Sequence, residues 1–260
     1  MPSIVGNFTQ YLRNGVLCKL NAKILTVWGR NGSGKTTFAV NLALSLAARN
    51  YMIGIISSKI YYGEMQSMFG QRVEVDQGIY KSLSNGSDTK NMFTSVNVKN
   101  NVFFLSVPND IDAMLMTAIS MESIKEMIED TVMRFDYLII DGNEELNNAV
   151  SSVGLVEAQQ IFIIHHPSVP DCLWYKGMGN MMDMLHLKNK AVHILNAYDK
   201  SCDKIAYSNS MNVKFEFELD LVDKAKIYEN SGTPIYTQKN FQTKRYRSTI
   251  DKIASLAALN

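Results

Sequence analysis

Cysteine is scarce in this chain. Cys18, Cys172 and Cys202 are far apart among 260 residues and never form a C-x-x-C pair. That spacing excludes a disulfide framework, a zinc ribbon and a shared iron–sulfur cluster. An excess of one charge is also missing, since 26 basic against 25 acidic residues leave a net charge of +1. No global field therefore draws the protein to nucleic acid or to an anionic membrane, and any such contact must come from a local patch. No apolar run approaches the length of about eighteen residues that marks a membrane-spanning helix. The opening MPSIVGNFTQYLRNG lacks a basic-then-apolar leader pattern. A soluble protein in the reducing cytoplasm is the resulting expectation. Linkers, low-complexity tracts and internal repeats are absent too. The length thus reads as one domain over 1–260, with an N-terminal extension over 1–22 and a C-terminal helix over 248–260. Apolar residues make up 46% of the chain, enough for a sizeable core, which excludes disorder as the main state.

What the sequence does have is concentrated in one segment. Lys23 to Trp28 reads KILTVW, a short β-branched apolar run. GRNGSGKTT follows from Gly29 to Thr37, and then FAVNLALSLAARN, in which Val40, Leu42, Ala43, Leu46 and Ala47 recur at helical spacing. Strand, glycine loop and helix in that order are the context in which G-x-x-x-x-G-K-[ST] cradles phosphates. Gly29, Gly32 and Gly34 permit backbone angles that let successive N–H groups, including those of Arg30, Asn31 and Ser33, turn toward phosphate oxygens. The helix start adds its partial positive charge. Lys35 can reach the outer phosphates, Thr36 can ligate magnesium, and Thr37 can contact the inner phosphate.

FDYLIIDGN, from Phe135 to Asn143, predicts a second buried strand that ends in an acid. Asp141 then lies at the carboxyl end, where α/β sheets bind ligands, and would hold magnesium directly or through a water. An acidic turn after a strand is the blander alternative. Further strands are expected at Met52–Ser57, Val102–Ser106, Gln160–His165, Ala191–Leu195 and Val213–Leu219, with a helix around Ser120–Met133 and a surface loop over Asn85–Asn101. This alternation predicts an α/β fold with a doubly wound, mostly parallel central sheet flanked by helices.

In this order the segments resemble the ParA/MinD family of P-loop ATPases, over about Lys23 to Tyr236. GRNGSGKTT is similar to the family's K-G-G-x-G-K-T-T, FDYLIIDGN to its Y-D-[YF]-[IV]-[IV]-[IV]-D, and IFIIHHPSVPD to its V-V-x-x-P-x strand and loop. IISSKIYYGEMQSMFG resembles the switch segment and VDQGIYKSL the short helix after it. HILNAYDK resembles the adenine-side strand ending in Asn, and AKIYENSGTPIY the late A-x-x-x-G-x-P-[IV] turn. The resemblance implies ATP and Mg2+ as ligands, and a homodimer that sandwiches nucleotide and whose position in the cell follows nucleotide state. It also implies that Asn196 touches adenine, although a strand-end turn former is the plain alternative.

Three departures from the family pattern bear on activity. The signature lysine, which in the family crosses to the partner subunit, is Arg30 here, and Asn31 replaces a glycine. Ser57 and Lys59 stand where the switch aspartates belong, and Glu64 is the nearest acid, beyond a register error of one or two residues. Nucleotide binding with slow or absent hydrolysis is the expectation, with Lys35, Arg30 and Asp141 as the acting residues. Such degenerate switches resemble the TadZ/CpaE branch, which places pilus-assembly machinery. An ATP-dependent dimer that positions a pilus, secretion or conjugation apparatus is therefore the favoured reading. An active plasmid-partition or chromosome-segregation ATPase stimulated by DNA is the alternative, and a P-loop kinase or metabolic enzyme ranks last for want of an arginine-rich lid.

Weaker signals carry bland readings beside the sharp ones. Lys239, Lys244, Arg245 and Arg247, near Phe241 and Tyr246, form the best local basic patch, for DNA phosphates, for an anionic lipid surface, or simply as a solvated face. Met178, Met181, Met182 and Met184 suit a partner surface or a core. His165 and His166 point to opposite faces of a strand, which argues against joint metal binding. STIDKIASLAALN carries only Lys252 as a base, which favours packing on the domain over membrane targeting.

Overall fold

In the computed structural model, residues 22–84, 92–108, 112, 120–198 and 202–259 are described. Their strands form one eight-stranded sheet in the order β3-β4-β2-β5-β1-β6-β7-β8. The strands are β1 (Lys23–Trp28), β2 (Ile53–Ser57), β3 (Thr94–Ser95), β4 (Val102–Leu105), β5 (Tyr137–Asp141), β6 (Gln160–His165), β7 (Ala191–Tyr198) and β8 (Phe217–Asp220). Every pairing is parallel except β3 with β4, which is antiparallel at one edge.

The central strands β5, β1 and β6 are apolar on both faces because helices cover both. Along β1, Leu25 and Val27 face one layer and Ile24 and Trp28 the other, and Ile139 against Leu138 and Ile140 repeats the alternation on β5. Helices α1 (Lys35–Ala47), α2 (Glu64–Phe69), α8 (Ala225–Asn230) and α9 (Phe241–Leu259) build the first layer around Phe38, Leu42, Leu46, Ile250 and Ile253. The opposite layer holds α3 (Gly78–Ser84), α4 (Met121–Thr131), α5 (Ala149–Glu157), α6 (Val169–Met184) and α7 (Lys204–Met211), with Ile124, Met127, Val153, Met182 and Tyr207 in its core. Four of these helices are capped by their own side chains. Ser120 accepts from the Ser123 N–H, Asn148 from Ser151, Ser168 from Asp171, and Asp203 from Ala206. Helix α1 begins at Gly34 with no side-chain cap and no acid in its first turn.

Several expectations shift. The Asn85–Asn101 loop contains the edge strand β3, and the part over 85–91 lies outside the described residues. Two residues leave too little pattern to read as a strand, and pairing with β4 defines it. The last strand begins at Phe217, not Val213, because Val213 packs in the layer under α7 instead of extending the sheet. The final helix starts at Phe241, seven residues before 248, so that Lys244, Arg245 and Arg247 occupy its first turns. Ala22 is buried against the fold, and residues 1–21 of the expected extension, including Cys18, lie outside the described residues.

Candidate nucleotide site

The parallel sheet brings the carboxyl ends of β1, β2 and β5 to one edge, and the site forms there. Asp141 pairs in register with Ser57 of β2 and Val27 of β1, so the end of β5 lies beside the loop that leaves β1. The loop turns through Gly34 at φ 90°, a left-handed angle that a side chain resists. A Cβ on Gly34 would also lie 2.2 Å from Asn196 Nδ2. That amide donates to the Ser33 carbonyl at 2.7 Å. Asn196 thus braces the loop from β7, on the strand where the sequence placed it.

Lys35 is almost buried, at 5% exposure, and its ammonium donates to the Arg30 carbonyl at 2.9 Å. Burial pushes its pKa down to about 8, while Asp141 pulls the other way. The Thr36 hydroxyl lies 2.8 Å from Asp141 Oδ2 and 3.2 Å from Glu64 Oε2. Burial, and after it the Glu64 carboxylate, push Asp141 up to about 7. Thr37 donates to Glu229 of α8, and the Asn31 amide donates to Glu144 at 2.6 Å. Arg30 is half-buried and its Nε finds no hydrogen-bond partner; the buried Ser33 hydroxyl and Asp141 Oδ1 are likewise unpartnered. Asn31 and Gly32 are exposed at the crest of the loop.

The residues fit a magnesium nucleotide. The donors around Thr36 are hard oxygens, the class that Mg2+ selects, and a buried carboxylate oxygen lacks a protein partner. The start of α1, which has no side-chain cap, suits phosphate oxygens, whereas in the loop the Asn31 and Ser33 N–H groups, expected to face phosphate, donate to Glu144 and to the Arg30 carbonyl.

Glu64, Glu144 and Glu229 were not singled out as site residues by the sequence. Glu64 in particular was set aside because it lies seven residues beyond Ser57, yet α2 folds back so that it reaches Thr36. Its place just after Tyr61, Tyr62 and Gly63, in the first turn of a short helix, is its local signature. Ser57 is buried, and its hydroxyl accepts from the Lys59 amide at 3.2 Å, so neither residue puts a carboxylate at the end of β2.

Other candidates stay apart from this centre. His165 is buried and bonded to Asp171 at 2.9 Å and His193 at 3.1 Å, with Tyr207 also donating to Asp171. It is a structural tie between β6, α6, β7 and α7. Burial, with His165 adding to it, lowers the pKa of His193 to about 3. Met182 is buried and Met178 and Met181 pack partly into the core, while Met184 is exposed. Lys239 and Lys244 are exposed, but Arg245 pairs with Asp220 at 3.1 Å. Ile250, Ile253, Ala254 and Ala257 seat α9 on the fold. Among the described residues no helix is long and apolar enough to cross a membrane, and no group of three or more His, Cys, Asp or Glu could hold a metal ion by itself.

Comparison with known proteins agrees with this geometry. The septum site-determining protein MinD of Pyrococcus horikoshii, solved with Mg-ADP, superposes with a TM-score of 0.75 at 15% identity, over 92% of this chain and 98% of that one. A putative plasmid partition protein of Borrelia burgdorferi bound to AMPPNP gives 0.73 at 18% identity, over 91% and 99%. At these identities the likeness shows the fold. An iron-sulfur cluster carrier protein of Pyrococcus abyssi is 27% identical over 148 residues, 53% of this chain and 50% of its own length. The chain spans about half the length of the curated relatives it matches. The AAA_31 family, described as an AAA domain, matches residues 22–198. With that match, the chain belongs to this family, and with the phosphate loop and the sheet order it has the P-loop fold of MinD and ParA-family proteins.

Proposed function

We propose that this protein binds Mg2+·ATP in the loop over Gly29–Thr37 and that the filled loop joins two copies of the chain, which then position a larger machine such as a pilus, secretion or conjugation apparatus. Turnover is slow, so the nucleotide acts as a clasp more than as a fuel. The observation that carries this reading is a phosphate-loop lysine and hard oxygens gathered beside a β2 end without a carboxylate. Lys35, Thr36 and Asp141 converge, while Ser57 is buried and bonded to the Lys59 backbone. A carboxylate that orients the attacking water contributes substantially to phosphoryl transfer, and its loss slows hydrolysis more than binding.

Each residue takes a role within that reading. Loop N–H groups and Lys35 hold the phosphates, and Thr36 and Asp141 hold magnesium, which neutralises phosphate charge when bound. Thr37 exchanges Glu229 for an inner phosphate oxygen. Arg30, whose Nε is unpartnered, reaches the nucleotide of the second copy. Asn196 holds the loop from the adenine side. The resemblance to the TadZ/CpaE branch rests on the same substituted switch. The cargo of the archaeal carrier relatives is not carried over, because this chain has no C-x-x-C pair.

Steady-state ATP turnover with and without DNA, together with gel filtration in Mg2+·ATP against ADP, tests the proposal. A dimer in ATP alone and turnover that ignores DNA are expected. A monomer in both nucleotides refutes the clasp. Clear stimulation by DNA favours the partition ATPase instead, with exposed Lys239 and Lys244 as its contact.

A further inference from the structure

The Thr36 hydroxyl has two carboxylates against it and one proton to give. Asp141 Oδ2 lies 2.8 Å away and Glu64 Oε2 3.2 Å away. A hydroxyl donates one hydrogen bond, so only one of these oxygens can receive it at a time. Among the described residues neither acid has a cation at ion-pair distance, although the charges of Lys35 and Lys59 favour the Asp141 carboxylate, and the second Asp141 oxygen is buried without a hydrogen-bond partner at 1% residue exposure. With both acids ionised, three hard oxygens thus meet with one proton between them, which is an environment a small divalent cation satisfies. Separations of 2.8 and 3.2 Å are those of ordinary hydrogen bonds, and they also lie near the ligand spacing of a small octahedral cation. In an octahedron with metal–oxygen bonds of about 2.0–2.1 Å, adjacent ligand oxygens are about 2.9 Å apart.

Glu64 is also held in place. Gln66, two residues along α2, accepts from the Val73 N–H at 2.6 Å and donates to the Val107 carbonyl at 3.0 Å, with its side chain buried. A Cβ on Gly63, just before Glu64, would meet that same carbonyl at 2.5 Å. At the other end of α2, Gly70 packs on Gly232, so closely that a Cβ on Gly232 would come within 2.4 Å of the Gly70 backbone. The helix is anchored at both ends, and Glu64 is presented from fixed backbone.

We infer that Glu64 is a magnesium-binding residue of this protein, entering from α2 to complete the Thr36–Asp141 site from the side on which β2 offers Ser57 and Lys59. The inference rests on the Mg2+·ATP reading of the same loop and deepens it. The metal is gripped from three separate segments, α1, β5 and α2.

The test is the Mg2+ concentration that gives half-maximal ATP binding, measured by calorimetry with wild type, Glu64→Gln and Glu64→Asp, and repeated with Mn2+ so that the metal's paramagnetic resonance spectrum is recorded. Loss of a ligand or its support typically weakens metal affinity tenfold to a hundredfold. Glu64→Gln should therefore raise the Mg2+ midpoint about tenfold or more and change the Mn2+ spectrum, while binding of ATP in excess chelator stays as in wild type. Glu64→Asp should fall between, and it carries the same comparison if the glutamine variant does not fold. An unchanged midpoint with normal ATP binding overturns the assignment and leaves the nucleotide reading intact. An unchanged midpoint with lost turnover also overturns it, because Glu64 would then act on water and not on metal. Failure of wild type to bind Mg2+·ATP at all removes both readings.

Discussion

Asp141 is the residue whose burial and role conflict most sharply. It is fully enclosed, with Glu64 close by, and its pKa is pushed from 3.8 up to about 7. Without metal, the folded protein therefore holds this proton more tightly than the unfolded chain does. The stability it contributes is full below about pH 3.8 and is lost as pH rises through about 7. Asp141→Asn removes that loss, so the nucleotide-free variant should be more stable than wild type at pH 8, by about 1–3 kcal/mol, with the difference vanishing near pH 4. Urea denaturation at the two pH values measures this. The same variant should lose the metal-dependent part of ATP binding. Lys35→Ala should abolish ATP binding outright, since the buried ammonium has no substitute at the loop, and calorimetry reads that directly. Residues of this kind were legible in the sequence because their spacing is chemical: the loop and the acid at the end of β5 stand where their motifs put them. Glu64 and Glu229 were not legible. Each reaches a loop threonine through the folding of a separate helix, and no local pattern records that approach.

Elements differ in how much of themselves they announce. β1, β5 and β6 follow the runs of apolar residues to within their ends, because burial on both faces leaves Thr26 as the one polar residue inside those runs to blur the pattern. β8 and the start of α9 are edge features, and there packing decides where the element begins. The contact of α2 with the turn after α8 is another such feature. Gly70 and Gly232 have φ of 61° and 64°, and there is no room between them. Gly232→Ala should destabilise the protein by about 1–3 kcal/mol, seen as a lowered denaturation midpoint. It should also weaken ATP binding, because it displaces α2 and α8, which carry Glu64 and Glu229. Unaltered ATP affinity in that variant would show the two helices to be independent of the loop. On the last helix, Ile253→Ala should cost about 2–5 kcal/mol, a core loss that marks α9 as part of the fold and not as a detachable anchor.

For the whole molecule, ligand and stability are linked. Saturating Mg2+·ATP at a hundred times its dissociation constant should add about 2.7 kcal/mol to unfolding, and more if two copies close around it. Thermal melts at several protein concentrations separate these contributions, since only the dimer term depends on concentration.

The bare start of α1 bears on how that linkage is felt. Where four helices satisfy opening amides with a serine, an asparagine or an aspartate of their own, this one, like the short α2 and α8, has no such cap, and eleven of its thirteen residues are buried. The core is thus wired to the occupancy of its rim. Deuterium uptake at residues 35–38 should slow on nucleotide binding, and the slowing should spread along the helix into the interior, so that an empty molecule differs from a loaded one in how firmly its centre is closed as well as in shape.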